Sequence, residues 1–295
     1  MKSIRIIPLV LIAFLTWNCS DDDDSNLPLA DFQFLVDGSQ VTFNGTVANA
    51  NSISWDFGDG STSSDEDPIY AYADPGTYTV VMTVNGDNGS FSETKEVTIF
   101  PTLDILLSGG VGRPEGKTWR LKREVSSADG AGRFQNDLPL DQPSQDNVFR
   151  LVGLGSAYDD SFTFVHDGSY RVDNVDGQSI MGLIFASIFF PTEIRVPSNT
   201  PDLVPLADVV YEPISDATWS INQEDFTIDS GTGPVTFTGH TQLVLGEYMG
   251  YKDSSNVIII KDITETTMNV AIGIHTVPEL FDKPTLFFHL TFESI

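Results

Sequence analysis

One short run in this chain combines residue types that could do chemistry: Tyr158-Asp159-Asp160, immediately before the strand-like Ser161-Phe162-Thr163-Phe164. An aromatic face takes the apolar side of a sugar ring, and neighbouring carboxylates or amides hold its hydroxyls. Tyr211 near Pro213, and Tyr248 and Tyr251 in a Gly-punctuated stretch, have the same character. These six residues are the candidate glycan-binding set, because strand ends and loops are where binding residues concentrate. The alternative at each tyrosine is a loop anchor acting through its hydroxyl. Asp159 and Asp160 are also the candidates for a structural calcium, which takes about six to eight hard oxygen ligands; a solvated turn is the competing reading. No other cofactor is expected.

Catalytic arrangements are scarcer. The histidines His166, His240, His275 and His289 are dispersed, and neither a Gly-x-Ser-x-Gly elbow nor a His-Glu-x-x-His run occurs. With 42 acidic residues, accidental carboxylate pairs are unavoidable and carry no information. The string Gly112-Arg113-Pro114-Glu115-Gly116-Lys117-Thr118 imitates a phosphate loop, but it is one residue short between its glycines and runs into a strand pattern rather than a helix. The expectation is a protein without catalytic chemistry, with a polysaccharide-degrading enzyme as the third-ranked reading.

Charge narrows the partners. A formal net charge of -27 repels polyanions over the whole surface, which disfavours nucleic acid. Neutral glucans would meet no such penalty, whereas uronates would need a local cationic patch. Lys117, Arg120, Lys122 and Arg123 form the only dense basic cluster. A single cysteine in 295 residues excludes an intramolecular disulfide.

The elements that must position the candidates read as strands throughout. Gln40-Val41-Thr42-Phe43, Tyr78 through Val84 and Glu96-Val97-Thr98-Ile99 alternate between turn residues in the first third, which predicts a small antiparallel sandwich. From Lys117 onward the runs Ala217 to Ile221, Asn256 to Ile260, Met268 to Ile272 and Thr285 to Phe292 predict a larger jelly-roll-like β-sandwich, with Asp167-Gly168 as its clearest turn. Trp55, Trp119 and Trp219 each share a strand face with apolar neighbours and read as core. The apolar stretch Ile180 to Phe190 is too short to span a membrane. It reads as a buried strand or helix under a long loop, or as a patch for a partner. The fold class is therefore all-β, with residues 27–100 and 117–295 as two domains and a Pro/Gly-marked linker at 101–116.

Residues 1–18 are a secretory leader: Lys2 and Arg5 precede the apolar run Ile6 to Leu15. Cys19 follows, then Ser20 and the acidic run Asp21 to Asp24, with Trp17 and Asn18 where small residues would be usual. This resembles a bacterial lipoprotein signal, which implies cleavage before Cys19 and its acylation, with residues 19–26 as a tether. The acidic run is similar to the export signal of Bacteroidota lipoproteins and implies an outer-membrane, cell-surface location, with membrane contact through the lipid alone. Trp55-Asp56-Phe57-Gly58-Asp59-Gly60, Pro68, Tyr72 and Pro75-Gly76-Thr77-Tyr78-Thr79-Val80 resemble a PKD domain, an immunoglobulin-like spacer or interaction module. Gly116 to Leu121, Tyr158 to Phe164 with Asp167-Gly168, and Leu245 to Tyr251 are similar to PKD-containing lipoproteins of polysaccharide utilisation systems. Their tryptophan-rich segment has no counterpart in Phe134 to Leu154, and the Glu-x-Asp-x-x-Glu strand of a large β-glucanase family is absent. The resemblance implies a surface glycan-binding protein that presents a polysaccharide to an outer-membrane transporter complex, with a SusD-like partner, and to glycoside hydrolases. The alternative is a scaffolding lipoprotein contacting other outer-membrane proteins.

Overall fold

The computed structural model describes residues 26–199, 204–254, 257–280 and 282–295. The leader, Cys19 and the tether up to Ser25 lie outside these residues. Two compact units divide between Phe100 and Pro101.

The first unit is a sandwich of seven antiparallel strands: β1 (Leu29–Asp37), β2 (Gln40–Ala48), β3 (Ser52–Asp56), β4 (Thr62–Ser63), β5 (Ile69–Ala71), β6 (Gly76–Gly86) and β7 (Gly89–Ile99). Its two sheets run β1-β2-β5 and β4-β3-β6-β7. The period-2 alternation sends Val41 and Phe43 of β2, and Val80, Met82 and Val84 of β6, inward. Trp55 is core, as its alternation predicted. Its ring packs 5.1 Å from Phe32 and 5.4 Å from Phe43, and its Nε1 donates to the Asp65 carbonyl. The turn after β3 closes as its residue types require. Asp56 and Asp59 accept from the amides of Gly58 and Ser61, and Gly58 (φ +81°) lies so close to Thr79 that a Cβ would sit 2.6 Å from its carbonyl oxygen.

The second unit begins with α1 (Leu103–Ser108), β8 (Lys117–Leu121), β9 (Gly130–Arg133), β10 (Gln142–Pro143), α2 (Val148–Leu151), β11 (Ser161–Phe164) and β12 (Tyr170–Asp173). It continues with β13 (Gln178–Gly182), α3 (Leu183–Phe189), β14 (Ile194–Pro197), β15 (Leu206–Val210), β16 (Trp219–Asn222), β17 (Phe226–Ser230) and β18 (Gly233–Phe237). The last strands are β19 (Thr241–Leu245), β20 (Ile258–Ile263), β21 (Thr267–Ile274) and β22 (Leu286–Ser294). The main sheet is ordered β12-β11-β8-β22-β21-β20-β19-β16, with β9 also on β22. Its two end strands meet: Ser169 bridges Thr218, Tyr170 N–H donates to the Ala217 carbonyl and Trp219 N–H to that of Gly168. The larger β-sandwich is thus one sheet curled until its ends join. Trp119, Phe162, Tyr170, Val270, Ile272 and Phe292 fill its interior. The strands β20 to β22 are buried on both faces, because Phe134, Phe237, Ile259, Ala271 and Phe287 form a second cluster outside the curl. That is why their sequences are nearly continuous apolar runs.

The segment 101–116, expected as a linker, belongs to the second unit. Leu107 of α1 is fully buried in its core, and two residues of β8 hold the helix end: Lys117 Nζ donates to the Leu106 carbonyl and Trp119 Nε1 to that of Leu107. A Pro/Gly count marks turns, but it does not reveal that a short helix between them is apolar enough to dock. The stretch Ile180 to Phe190 divides likewise. Ile180 and Met181 of β13 are buried, whereas Ile188 and Phe189 of α3 are 48% and 53% exposed.

The loop from Phe134 to Asp141 lies directly on β9. A Cβ at Gly132 would stand 1.6 Å from the Pro139 carbonyl oxygen, with no flexible neighbour to yield. Gly132→Ala should therefore lower stability by about 1 to 3 kcal/mol or more, read as an earlier melting transition of the second unit; an unchanged melt would show that the loop is loosely held.

Candidate functional site

The structure removes three tyrosines from the expected sugar surface. Tyr158, Tyr248 and Tyr251 are 3%, 0% and 2% exposed. Tyr248 lies edge-on to Phe162 and donates to Ser179 Oγ at 2.7 Å; Tyr251 donates to the Ile272 carbonyl at 2.8 Å. Tyr158 packs edge-on against Phe149, under the Arg123 guanidinium, and its hydroxyl accepts from Phe149 N–H. These are loop anchors, the alternative recognised from sequence: strands far along the chain cover their rings while the hydroxyls find internal partners.

Tyr211 is partly buried and also held. Its hydroxyl donates to Glu247 Oε2 at 2.8 Å, and Lys252 Nζ stands 5.0 Å from its ring centre. Glu247, 1% exposed, accepts further from Lys252 Nζ and the amides of Ile214 and Tyr248. Burial opposes its charge, but Lys252 and Tyr211 outweigh burial and hold the carboxyl below its ordinary range. This node fixes the 211–214 loop.

The adjacent aspartates diverge, which takes away the calcium pairing. Exposed Asp159 binds the Arg123 guanidinium at 2.8 Å. Asp160, 2% exposed, turns inward beside the Tyr248 hydroxyl, and burial reinforced by the charges of Asp176 and Asp208 pushes its carboxyl up to about 8. Among the described residues no three His, Cys, Asp or Glu side chains converge as metal ligands.

A cavity with a mainly apolar lining lies where β9, β10, α2 and β22 meet, with a volume of about 520 Å³. Ala131, Phe149, Phe288 and Leu290 form its floor, and Gln142, Ser144 and Gln145 stand at its rim. Phe288 and Leu290 share the inward face of β22, so the same alternation that fills the core also floors the cleft. The Gln142–Gln145 loop is set by two backbone ties: Asp141 N–H donates to the Ala131 carbonyl and Ser144 N–H to that of Asp129. Among the described residues, no Asp, Glu, Lys or Arg lines the cleft. Its one titratable side chain, His289, is pushed down to about 4 by burial and the nearby Lys261, and is neutral near pH 7. Sequence reasoning noted this stretch only for its missing tryptophans; Phe149 and the two glutamines were the available signal.

A second constellation was also invisible in the sequence. Asp253 Oδ1 lies 2.9 Å from Nδ1 of the fully buried His275, and Ser254 Oγ lies 3.1 Å from both ring nitrogens. A hydroxyl equidistant from both nitrogens faces the carbon between them. A Ser-His-Asp relay needs the carboxylate on Nδ1 and the hydroxyl on the opposite edge, at Nε2. Here the groups act as a clasp: Asp253 also accepts from the His275 amide, and it presses on Gly182 where a Cβ would fall 2.5 Å from Oδ2.

Residues 17–100 match the family model described as PKD domain. The N-terminal unit is a PKD domain. The pre-pro-metalloprotease PrtV of Vibrio cholerae is 40% identical over 76 residues, a match covering 24% of this chain and 8% of that protein. The crystal structure of the PrtV PKD1 domain is 33% identical and covers 25% of this chain and 98% of that chain, with a TM-score of 0.24. This chain thus spans a small fraction of the curated relative it matches, and the shared part is the PKD domain. A solved structure described as a carbohydrate-binding module of the β-sandwich superfamily aligns over 92% of this chain and 94% of its own, at 14% identity and a TM-score of 0.25. The domain assignment rests on the sequence match.

Proposed function

We propose that this chain is a non-catalytic surface lipoprotein whose PKD domain serves as a spacer and whose second unit binds a polysaccharide. The observation that carries the reading is the cleft: an apolar floor of Phe149, Phe288 and Leu290 for ring faces, with Gln142 and Gln145 amides at the rim for hydroxyls. Acylated Cys19 holds the protein at the outer face of the outer membrane, where it concentrates substrate for a neighbouring transporter complex and hydrolases. Several weak contacts along one polymer supply the retention.

Two measurements test these parts separately. Gln142→Ala with Gln145→Ala should weaken retention in affinity electrophoresis by about 1 kcal/mol per lost hydrogen bond while leaving the melt unchanged, since both side chains are exposed. Unaltered retention would move the site elsewhere. Cys19→Ala should move the protein from the membrane fraction to the soluble one, because the variant has no thiol to acylate. Continued membrane association of that variant would overturn the anchor.

The second reading, a scaffold for other outer-membrane proteins, is favoured by the exposed apolar residues Ile188 and Phe189 of α3 with Ile214.

A further inference from the structure

Resting on the carbohydrate reading above, we infer that the cleft selects uncharged glycans and rejects chains bearing uronate or sulfate groups. Every described side chain lining it is neutral near pH 7. A carboxylate seated on Phe149, Phe288 and Leu290 would lose its hydration with no cation among the described lining residues to replace it, and burial of an unpaired charge is costly.

Three of the four residues of the basic cluster that could have offered a counter-charge already have partners, and none of the four lines the cleft. Lys117 is 6% exposed and bound to the end of α1, Arg120 pairs with Glu293, and Arg123 pairs with Asp159. The whole-chain charge of -27 adds a long-range repulsion of the same sign. Discrimination therefore has two components that salt separates. The long-range one fades when the Debye length falls to about 3 Å at 1 M salt, and the local one persists.

The probe is a matched pair: a neutral soluble polysaccharide retained by the protein, and the same polymer oxidised at its primary hydroxyls to uronate. Both are titrated by calorimetry at about 0.15 M and 1 M NaCl, conditions that differ in screening. The oxidised polymer should bind about tenfold more weakly or worse, with part of the deficit surviving at 1 M salt, as expected for desolvation inside the cleft. Gln145→Arg should narrow the ratio of the two affinities at 1 M salt, because it places a guanidinium at the rim. Equal affinities at 1 M salt, or an Arg variant with an unchanged ratio, would overturn the inference. Retention of acidic polymers alone would overturn it while sparing the carbohydrate reading. Retention of no polysaccharide by the intact chain would overturn both.

Discussion

Glu247→Ala is expected to cost the second unit about 3 to 5 kcal/mol, among the largest effects of any single substitution in it. The wild-type carboxylate is 1% exposed and takes the Tyr211 hydroxyl, the Lys252 ammonium and two backbone amides. Alanine leaves all four donors without an acceptor in a site that admits little water, and a buried group deprived of its partner bears its full desolvation cost. Lys252 can swing outward, since its side chain keeps 18% exposure, but the Tyr248 amide cannot. Chemical denaturation should show a lower midpoint. Glu247→Gln, which preserves an acceptor, should recover part of the loss. If alanine and glutamine variants unfold alike at the wild-type midpoint, the node does not hold the 211–214 loop.

Asp160→Asn should act in the opposite direction and stabilise the protein. Burial raises the Asp160 carboxyl to about 8 in the folded state, against 3.8 for the ordinary group, so the folded protein holds a proton that the unfolded chain releases. The stabilising contribution is complete below the unfolded value and is lost as pH climbs from about 4 through 8. At pH 7 the wild type is then penalised by roughly 3 to 5 kcal/mol relative to a neutral isostere. Asparagine keeps a polar group beside the Tyr248 hydroxyl and carries no charge. The variant should melt higher than wild type at pH 7.5 and nearly with it at pH 4.5. Asp208, raised by burial as well, adds a slope of the same sign that the variant retains. Parallel pH profiles for the two proteins would mean that Asp160 ionises freely.

These effects bear on what could be read without a structure. The PKD unit was legible because its signature is local: Asp56, Gly58, Asp59 and Gly60 close a turn whose chemistry is complete within a few residues. Trp119 was legible through strand alternation and is fully buried. The tyrosines were misjudged because neighbouring glycines suggest a loop at the surface, while burial is decided by remote strands. Tyr248 meets Phe162 and Ser179, and Tyr251 is held by β21. The cleft was missed for a related reason. Part of it comes from the stretch 142–152 and part from Phe288 and Leu290, far along the chain. No periodicity joins the two.

The pairing of β22 with β8 has a consequence for the order in which the molecule can be made. Phe292 aligns with Leu121, so the strand that joins the two halves of the curled sheet is made long after β8. Until it arrives, the curl stays open between β8 and β21, and β8 lacks its partner on that side. The PKD domain, whose seven strands all lie before residue 100, can complete its sandwich first. The second unit must instead wait for nearly its whole length and then assemble through contacts of long sequence separation, a slow step that leaves hydrophobic strands dependent on protection from aggregation in the interval.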